Sequence, residues 1–339
     1  MGAFWIPRLE LVSTASEIVG HKAGIALGRN DVRRLLGENG EIIDGADEQS
    51  LRIRSEEFEE MIAQLLHAVG NIPSPSIGMF SITVYHRHKH DKNALRVYMS
   101  LMEVFPDFLK RGMEEAAKAQ EKKAIDPRPF LDRALSDHGP LGAAIAIELL
   151  EELNLQMHRS PWSKYRREAW KDTAELKELF ESESLAATYG SFFDQRFIDY
   201  LSSQFGDIDK IHWRKFEGLT CEFFERSGFR VEIGPGRDDG NIDARVWPRD
   251  EEPSRPPAIL VQCKREKSQV GKVVVKALYA DVLHERAQSG LIVTTTGLAP
   301  GAKKVCVARA YPIAQVDRGG LRKWLTLMKT PGTGVFMGQ

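Results

Sequence analysis

Two neighbouring stretches decide the fold: "DDGNIDARVW" at residues 238–247 and "PPAILVQCKREK" at 256–267. Each contains a run of strand composition, and the second passes from Ala258, Ile259, Leu260 and Val261 into Gln262, Cys263 and Lys264. The first carries a carboxylate, Asp243, inside an apolar pattern. A buried charge without a partner is strongly unfavourable, so a polar group at such a position has a task or a satisfied network. Side chains alternate along a strand, so Gln262 and Lys264 share one face and Cys263 takes the other. If the two strands pair, Asp243 is expected on the face of Gln262 and Lys264.

The flanking sequence supplies the rest of a domain. "WRKFEGLTCEFFERSGF" (213–229) puts Phe216, Leu219, Phe223 and Phe224 on one helical face, with Gly228 as its stop. Glu217 borders that stripe and can reach the polar face. "FRVEIG" is a strand, "GPGRDDG" has turn composition, and "VGKVVVKALYADVLHERAQ" is a helix. "GLIVTTT" is a strand whose continuous apolar start predicts burial on both faces. A helix near 299–310, the strand "PIAQVD" and the helix "GGLRKWLTLM" complete the order α-β-β-β-α-β, then α-β-α. Two carboxylates, an amide oxygen and a lysine at a sheet edge suit phosphodiester hydrolysis. Mg²⁺ takes hard oxygen ligands, often with one or two protein carboxylates, and polarises the phosphoryl oxygen. A lysine then stabilises the transition-state charge.

With "FEGLTCEFFERSGFRVE", "DDGNID", "ILVQCKR" and "GLIVTTTGLAPGA" in that order, the chain resembles the Mrr-type (type IV) restriction endonucleases of the PD-(D/E)XK nuclease superfamily. The resemblance covers roughly residues 211–325. It implies an α/β (α+β) restriction-endonuclease-like core, α-β-β-β-α-β, after a mainly helical N-terminal domain. It implies a catalytic set of Glu217, Asp243, Gln262 and Lys264. Asp243, Glu217, Gln262 and the backbone carbonyl of Cys263 would hold Mg²⁺, for which Mn²⁺ can substitute. Gln262 stands where the superfamily has an acidic residue, a replacement usual in the Mrr branch; the lost charge makes Glu217 matter more for a cation. Asp239 also matches the family, but its place in a turn favours a structural role.

Charge is divided unevenly along the chain. Residues 211–339 hold 21 Lys and Arg against 14 Asp and Glu, while residues 1–210 hold 26 against 34. A basic segment joined to an acidic one points to a polyanionic partner, with an unevenly charged solvated surface as the equal alternative. Arg237, Arg265, Lys267, Lys272 and Lys276 flank the site and are the candidate DNA-phosphate contacts; for each, ordinary surface charge is the rival reading. Thr294, Thr295 and Thr296 either touch phosphates or end a strand as β-formers. Cys221, Cys263 and Cys306 have neither paired nor metal-ligand spacing and suit a reducing cytoplasm. No run is long enough to cross a membrane, and the start lacks the marks of a signal peptide or a myristoylation site.

The N-terminal part names no chemistry. "SEEFEEMIAQLLHAV" (55–69) is an amphipathic helix, "GMFSITVYHRH" (78–88) alternates like a strand, and a helix over 94–123 is expected to break at Pro106. Residues 129–155 and 170–182 are expected to be helical. His86, His88 and His90 would share a strand face at a metal-compatible spacing, but the basic residues around them favour a surface or nucleic-acid contact. Trp162, Tyr165 and Trp170 are packing anchors in preference to base-stacking groups. The expected division is an N-terminal domain over 1–191 for targeting, regulation or oligomerisation, a connecting helix over 192–210, a nuclease domain over 211–329 and a flexible tail over 330–339. A fragment starting near Phe192 is expected to fold alone.

The expectation is a cytoplasmic, metal-dependent DNA endonuclease restricting foreign or modified DNA in host defence, with self-association available for double-strand cleavage. Its rivals are a repair or junction-processing nuclease on the same fold and a catalytically silent DNA-binding or scaffold protein.

Overall fold

Helical spacing governs the first two hundred residues and strand spacing much of the remainder. The computed structural model describes residues 2–76, 78–118, 125–236 and 242–329. The chain opens with β1 (Ala3–Pro7), α1 (Arg8–Ala23), β2 (Ile25–Ala26), α2 (Arg29–Leu35) and a 3-10 segment over Gly37–Ile43. β3 (Ser50–Arg54), α3 (Ser55–Ala68), α4 (Phe80–His88), α5 (Lys92–Lys118) and α6 (Arg128–Arg159) follow. Next come β4 (Ala174–Glu175), α7 (Glu178–Glu181), α8 (Gln195–Ser203) and a 3-10 turn over Phe205–Asp207. The C-terminal part runs α9 (Trp213–Arg226), β5 (Phe229–Ile233), β6 (Ala244–Pro248), β7 (Ile259–Lys264), α10 (Lys272–His284), β8 (Ser289–Thr294), α11 (Pro300–Ala308), β9 (Ile313–Val316) and α12 (Arg318–Lys329).

The chain forms two compact units. One comprises residues up to Ile6, Leu51–Gln64 and Ser74–Ala169. Its core is helical: Val84, Val97, Tyr98, Leu101, Phe105, Phe130, Ile145 and Leu149 interlock from α4, α5 and α6. Two expectations are corrected here. Residues 80–88 form a helix, not a strand, because Phe80 and Val84, four apart, both face that core, whereas Ile82 between them is exposed. α5 also continues through Pro106. The ring removes one backbone hydrogen bond, but Phe105, edge-on, and Phe108, stacked, both pack against Phe130 and hold the turn in place. α6 bends at Gly139, whose φ of 65° lies in the left-handed region, just before Pro140.

The second unit comprises Pro7–Ser50, Leu65–Pro73 and the described residues from Trp170 onward. Only a short α7 forms within the helix expected over 170–182, because the backbone of Ala174 and Leu176 bonds to Gly24 and Ala26 and pairs β4 with β2. The main sheet has the order β5-β6-β7-β8-β9, antiparallel from β5 to β7 and parallel from β7 to β9. Leu260, Val275, Leu278, Val282, Ile292 and Ala302 pack α10 and α11 on one face. This is a mixed sheet flanked by helices, preceded by a largely helical region.

Three segments before 191, namely Pro7–Ser50, Leu65–Pro73 and the residues from Trp170 on, are part of this second unit. Arg196 of α8, 3% exposed, is bonded to Asp194, to Asp172 and to the carbonyl of Gly24. Arg34 of α2 donates to Asp207 and Tyr200, both 2.9 Å away. The expected boundary at 191 therefore runs through a packed body. The expected tail, 330–339, lies outside the described residues.

Candidate active site

α9 starts with His212 as its cap, whose Nδ1 accepts from the Arg214 N–H at 3.2 Å. The helix aims Glu217, Thr220 and Cys221 inward, all buried. It lies close to the preceding turn: a Cβ on Gly218 would come within 2.7 Å of the Phe192 carbonyl oxygen. Glu222 clamps the same turn by accepting from the N–H groups of Ser191, Phe192 and Phe193 at 2.8, 2.8 and 3.2 Å. Glu217 is thus held on a helix whose position is constrained from both sides.

Glu217 accepts from Arg214 Nη1 at 2.7 Å, and Arg214 Nη2 donates to the Gly234 carbonyl at 2.7 Å. Its side chain is also hydrogen-bonded to that of Asp243. Burial, then the negative charge of Asp243, pushes the Glu217 carboxyl up to about 8. Two carboxyl groups in contact share a proton far more easily than they carry two charges.

Asp243 stands just before β6. Its N–H donates to the Val261 carbonyl at 2.9 Å, while Ala244 is registered opposite the same Val261. Two residues facing one is the arrangement of a β-bulge, which re-aims a side chain. Asp243 Oδ2 consequently accepts from the Cys263 N–H at 2.6 Å. Neighbouring strand residues point their backbone groups to opposite sides, so the Cys263 carbonyl lies on the Asp243 side with its N–H. The Cys263 thiol is 3.5 Å from Thr220 Oγ1 on α9, and burial raises it well above the usual thiol range.

Gln262 and Lys264 point away from that thiol, to the side of Leu260. Gln262 is 3% exposed, and its buried Oε1 has no hydrogen-bond partner. Lys264 is half-buried and has no ion-pair partner among the described residues. The structure therefore joins Glu217, Asp243 and Cys263 directly. Gln262 and Lys264 are beside them on β7, but neither is bonded to a carboxylate. The bulge brings Asp243 to Glu217 on α9 and to the Cys263 N–H, contacts that alternation alone does not give. Among the described residues no group of three or more His, Cys, Asp or Glu is placed to hold a metal. Any cation here would depend on two carboxylates, the orphaned amide oxygen and a backbone carbonyl.

Of the other expected contacts, Arg237 and Asp239 lie outside the described residues. Arg265 is half-buried and donates to the Asp209 carbonyl at 3.1 Å, whereas Lys267, Lys272 and Lys276 are exposed. Thr295 and Thr296 bond to the carbonyls of Glu266 and Ser268, and Thr294 Oγ1 lies 3.2 Å from that of Thr296, so these hydroxyls close the end of β8. On α4, His88 is paired with Glu148 at 3.1 Å, and helical geometry separates it from His86. Sequence reasoning missed Arg214 and Glu222, whose spacings to Glu217 and Arg226 are those of helical ion pairs. It also missed Lys303 and Lys304, exposed at the start of α11 in a stretch from Arg286 to Val316 that contains no carboxylate.

A bulged sheet end carrying paired carboxyls and a lysine, backed by helices, is the architecture of a nuclease-like domain. Residues 208–325 match the family model Mrr_cat, described as a restriction endonuclease, so this segment is an Mrr-type domain of the PD-(D/E)XK superfamily. An uncharacterized protein, y4cE, of Sinorhizobium fredii (strain NBRC 101917 / NGR234) is 27% identical over 95 residues, 28% of this chain and 24% of that protein. The chain thus spans about a quarter of the length of that curated relative. A solved structure, MspJI restriction endonuclease in complex with a 27-mer oligonucleotide, aligns at 18% identity and a TM-score of 0.27 over 60% of this chain and 45% of that one. No helix among the described residues is long and apolar enough to cross a membrane.

Proposed function

We propose that this protein is a metal-dependent DNA endonuclease that hydrolyses phosphodiester bonds in the restriction of foreign or modified DNA. The observation that carries the reading is the Glu217–Asp243 carboxyl pair at the bulged end of β6, with Asp243 bonded to the Cys263 N–H and the preceding residue, Gln262, holding a buried oxygen that has no partner. These residues fit a hard divalent cation such as Mg²⁺ or Mn²⁺. Its charge would relieve the repulsion that raises Glu217, and Gln262 Oε1 and the Cys263 carbonyl are oxygens of the type it prefers. Bound by Asp243, Glu217, Gln262 and Cys263, the cation would polarise a phosphoryl oxygen and acidify a water.

The chain's own groups do the rest. Lys264, half-buried and unpaired among the described residues, stabilises negative charge building on the phosphorus oxygens. Arg214 orients Glu217. Arg237, Arg265, Lys267, Lys272 and Lys276 hold the DNA backbone, with Lys303 and Lys304 extending that surface over α11. Self-association would provide the second active site for a double-strand cut, and the remaining unit would select or restrain substrates.

One observation favours a rival. Arg214 already occupies an oxygen of Glu217, as expected of a silent DNA-binding protein whose carboxyl pair is satisfied internally. The deciding experiment is cleavage of methylated, unmethylated and branched DNA with Mg²⁺ or Mn²⁺. Asp243→Ala and Lys264→Ala are each expected to abolish cleavage while keeping the fold and most of the DNA affinity. Turnover at the wild-type rate in either variant would remove the assignment, and DNA binding without cleavage under either metal would establish the silent rival.

A further inference from the structure

Two arginines just after β9, two strands away from β7, have no role in this site. Arg318 and Arg322, one turn apart at the start of α12, both place their guanidinium carbons over the ring of Phe205, at 5.1 and 4.4 Å from its centroid. Like charges at this spacing repel on a helix. Neither has an ion-pair partner among the described residues. Of the nearby carboxylates, Asp317 Oδ1 accepts from the Gly320 N–H, Asp207 is bonded to Arg34, Tyr200 and Lys210, and Asp209 Oδ1 is buried without a hydrogen-bond partner. Arg265 reaches the same turn from β7 through the Asp209 carbonyl, and its buried Nε has no partner.

The sheet places this cluster relative to the candidate active site. Cys263 is registered with Val293, and Val293 with Val316, so the end of β9 is level with Cys263 two strands away. Adjacent strands lie about 4.8 Å apart, which sets the end of β9, two residues before Arg318, about 10 Å along the same edge from β7. A planar guanidinium stacked on an aromatic ring keeps its fork of N–H donors free and pre-oriented for phosphate. With two such groups left without a carboxylate, the missing partner is an anion.

We infer that Arg318 and Arg322, stacked on Phe205, form a phosphate-binding subsite for the DNA strand, one or two nucleotides from the phosphodiester at the candidate active site. The inference rests on the proposed DNA substrate but not on cleavage. Phe205 fixes both forks, and Arg265, bonded to the Asp209 carbonyl, supplies a third cation.

The test uses the full chain without metal. Binding to a DNA duplex is measured across a salt series for wild type, Arg318→Met/Arg322→Met, Phe205→Leu and Lys323→Met, with circular dichroism to check folding. Losing one phosphate contact should make the slope of log affinity against log salt shallower by about 0.9. The double variant is expected to show at least that change, and Phe205→Leu, which keeps both charges, a part of it. Lys323→Met, an exposed neighbour on α12, should leave the slope at the wild-type value. A wild-type slope in the double variant overturns the inference. A parallel arm follows thermal stabilisation by inorganic phosphate. Loss of that stabilisation with an unchanged DNA slope also overturns it, since the site would then serve a free anion. A shallower slope in a protein that never cleaves DNA upholds the subsite while removing the nuclease reading.

Discussion

Glu217 is a buried carboxyl with two neighbours of opposite effect, Arg214 and Asp243. Its folded-state pKa is raised to about 8, above an unfolded value of about 4.3. Its contribution to stability is therefore complete below the unfolded value and is lost as pH rises through the folded one. Metal-free protein should lose thermal stability between about pH 5 and 8 relative to Glu217→Gln, and saturating Mg²⁺ should cancel the difference; parallel pH-melting curves for the two proteins would refute this. Arg214→Met removes the cation and should cost about 1–3 kcal/mol in denaturant unfolding at neutral pH. Gln262→Glu should tighten divalent-cation binding and weaken the metal-free protein at neutral pH, because it adds a third acidic group; calorimetry showing weaker Mg²⁺ or Mn²⁺ affinity would contradict it. Asp243 and Glu217 were legible in the sequence because a carboxylate inside an apolar pattern stands out. The direction of Asp243 was not, since strand alternation assumes a regular ladder and the bulge breaks it. Arg214 escaped notice because a helical cation three residues from a glutamate is common on any surface.

At the scale of elements, α9 is the part whose placement the site depends on most. Gly218→Ala puts a methyl against the Phe192 carbonyl, and Glu222→Ala leaves three N–H groups without their acceptor. Each is expected to destabilise the protein by about 1–3 kcal/mol and to lower metal affinity by displacing Glu217. Destabilisation without a change in metal affinity would separate α9's packing from the site. The C-terminal sheet and its helices were readable because apolar strands, turn residues and amphipathic helices follow one another with little ambiguity. The stretch over 80–88 was not, because Phe80, Ile82 and Val84 satisfy a two-residue period as well as a helical one. Only contact with α5 and α6, distant in sequence, decides between them. Residues 170–182 failed for a related reason: β2 offers the backbone of Ala174 and Leu176 a partner that no local pattern encodes.

Across the whole molecule, the second unit is assembled from separated segments, and this revises the expectation for fragments. A fragment beginning near Phe192 lacks Asp172 and the Gly24 carbonyl for Arg196, and lacks Arg34 for Asp207. It is expected to unfold with little cooperativity, whereas the full chain should give a sharp transition; a sharp, stable melt of the fragment would restore the boundary at 191. The same interleaving has a consequence during synthesis. Arg34 and Asp207 are 173 residues apart. At about 5–20 residues per second, α2 waits on the order of 10–35 s on the ribosome for its partner. Through that interval Arg34 lacks its acceptors Asp207 and Tyr200, and Val32, Leu35 and Leu36, buried in the finished protein, depend on the neighbouring α1 and Gly37–Ile43 segment for cover. Nascent chains stalled before residue 207 should therefore recruit a holdase chaperone through their first fifty residues, and release it once α8 and the turn after it emerge.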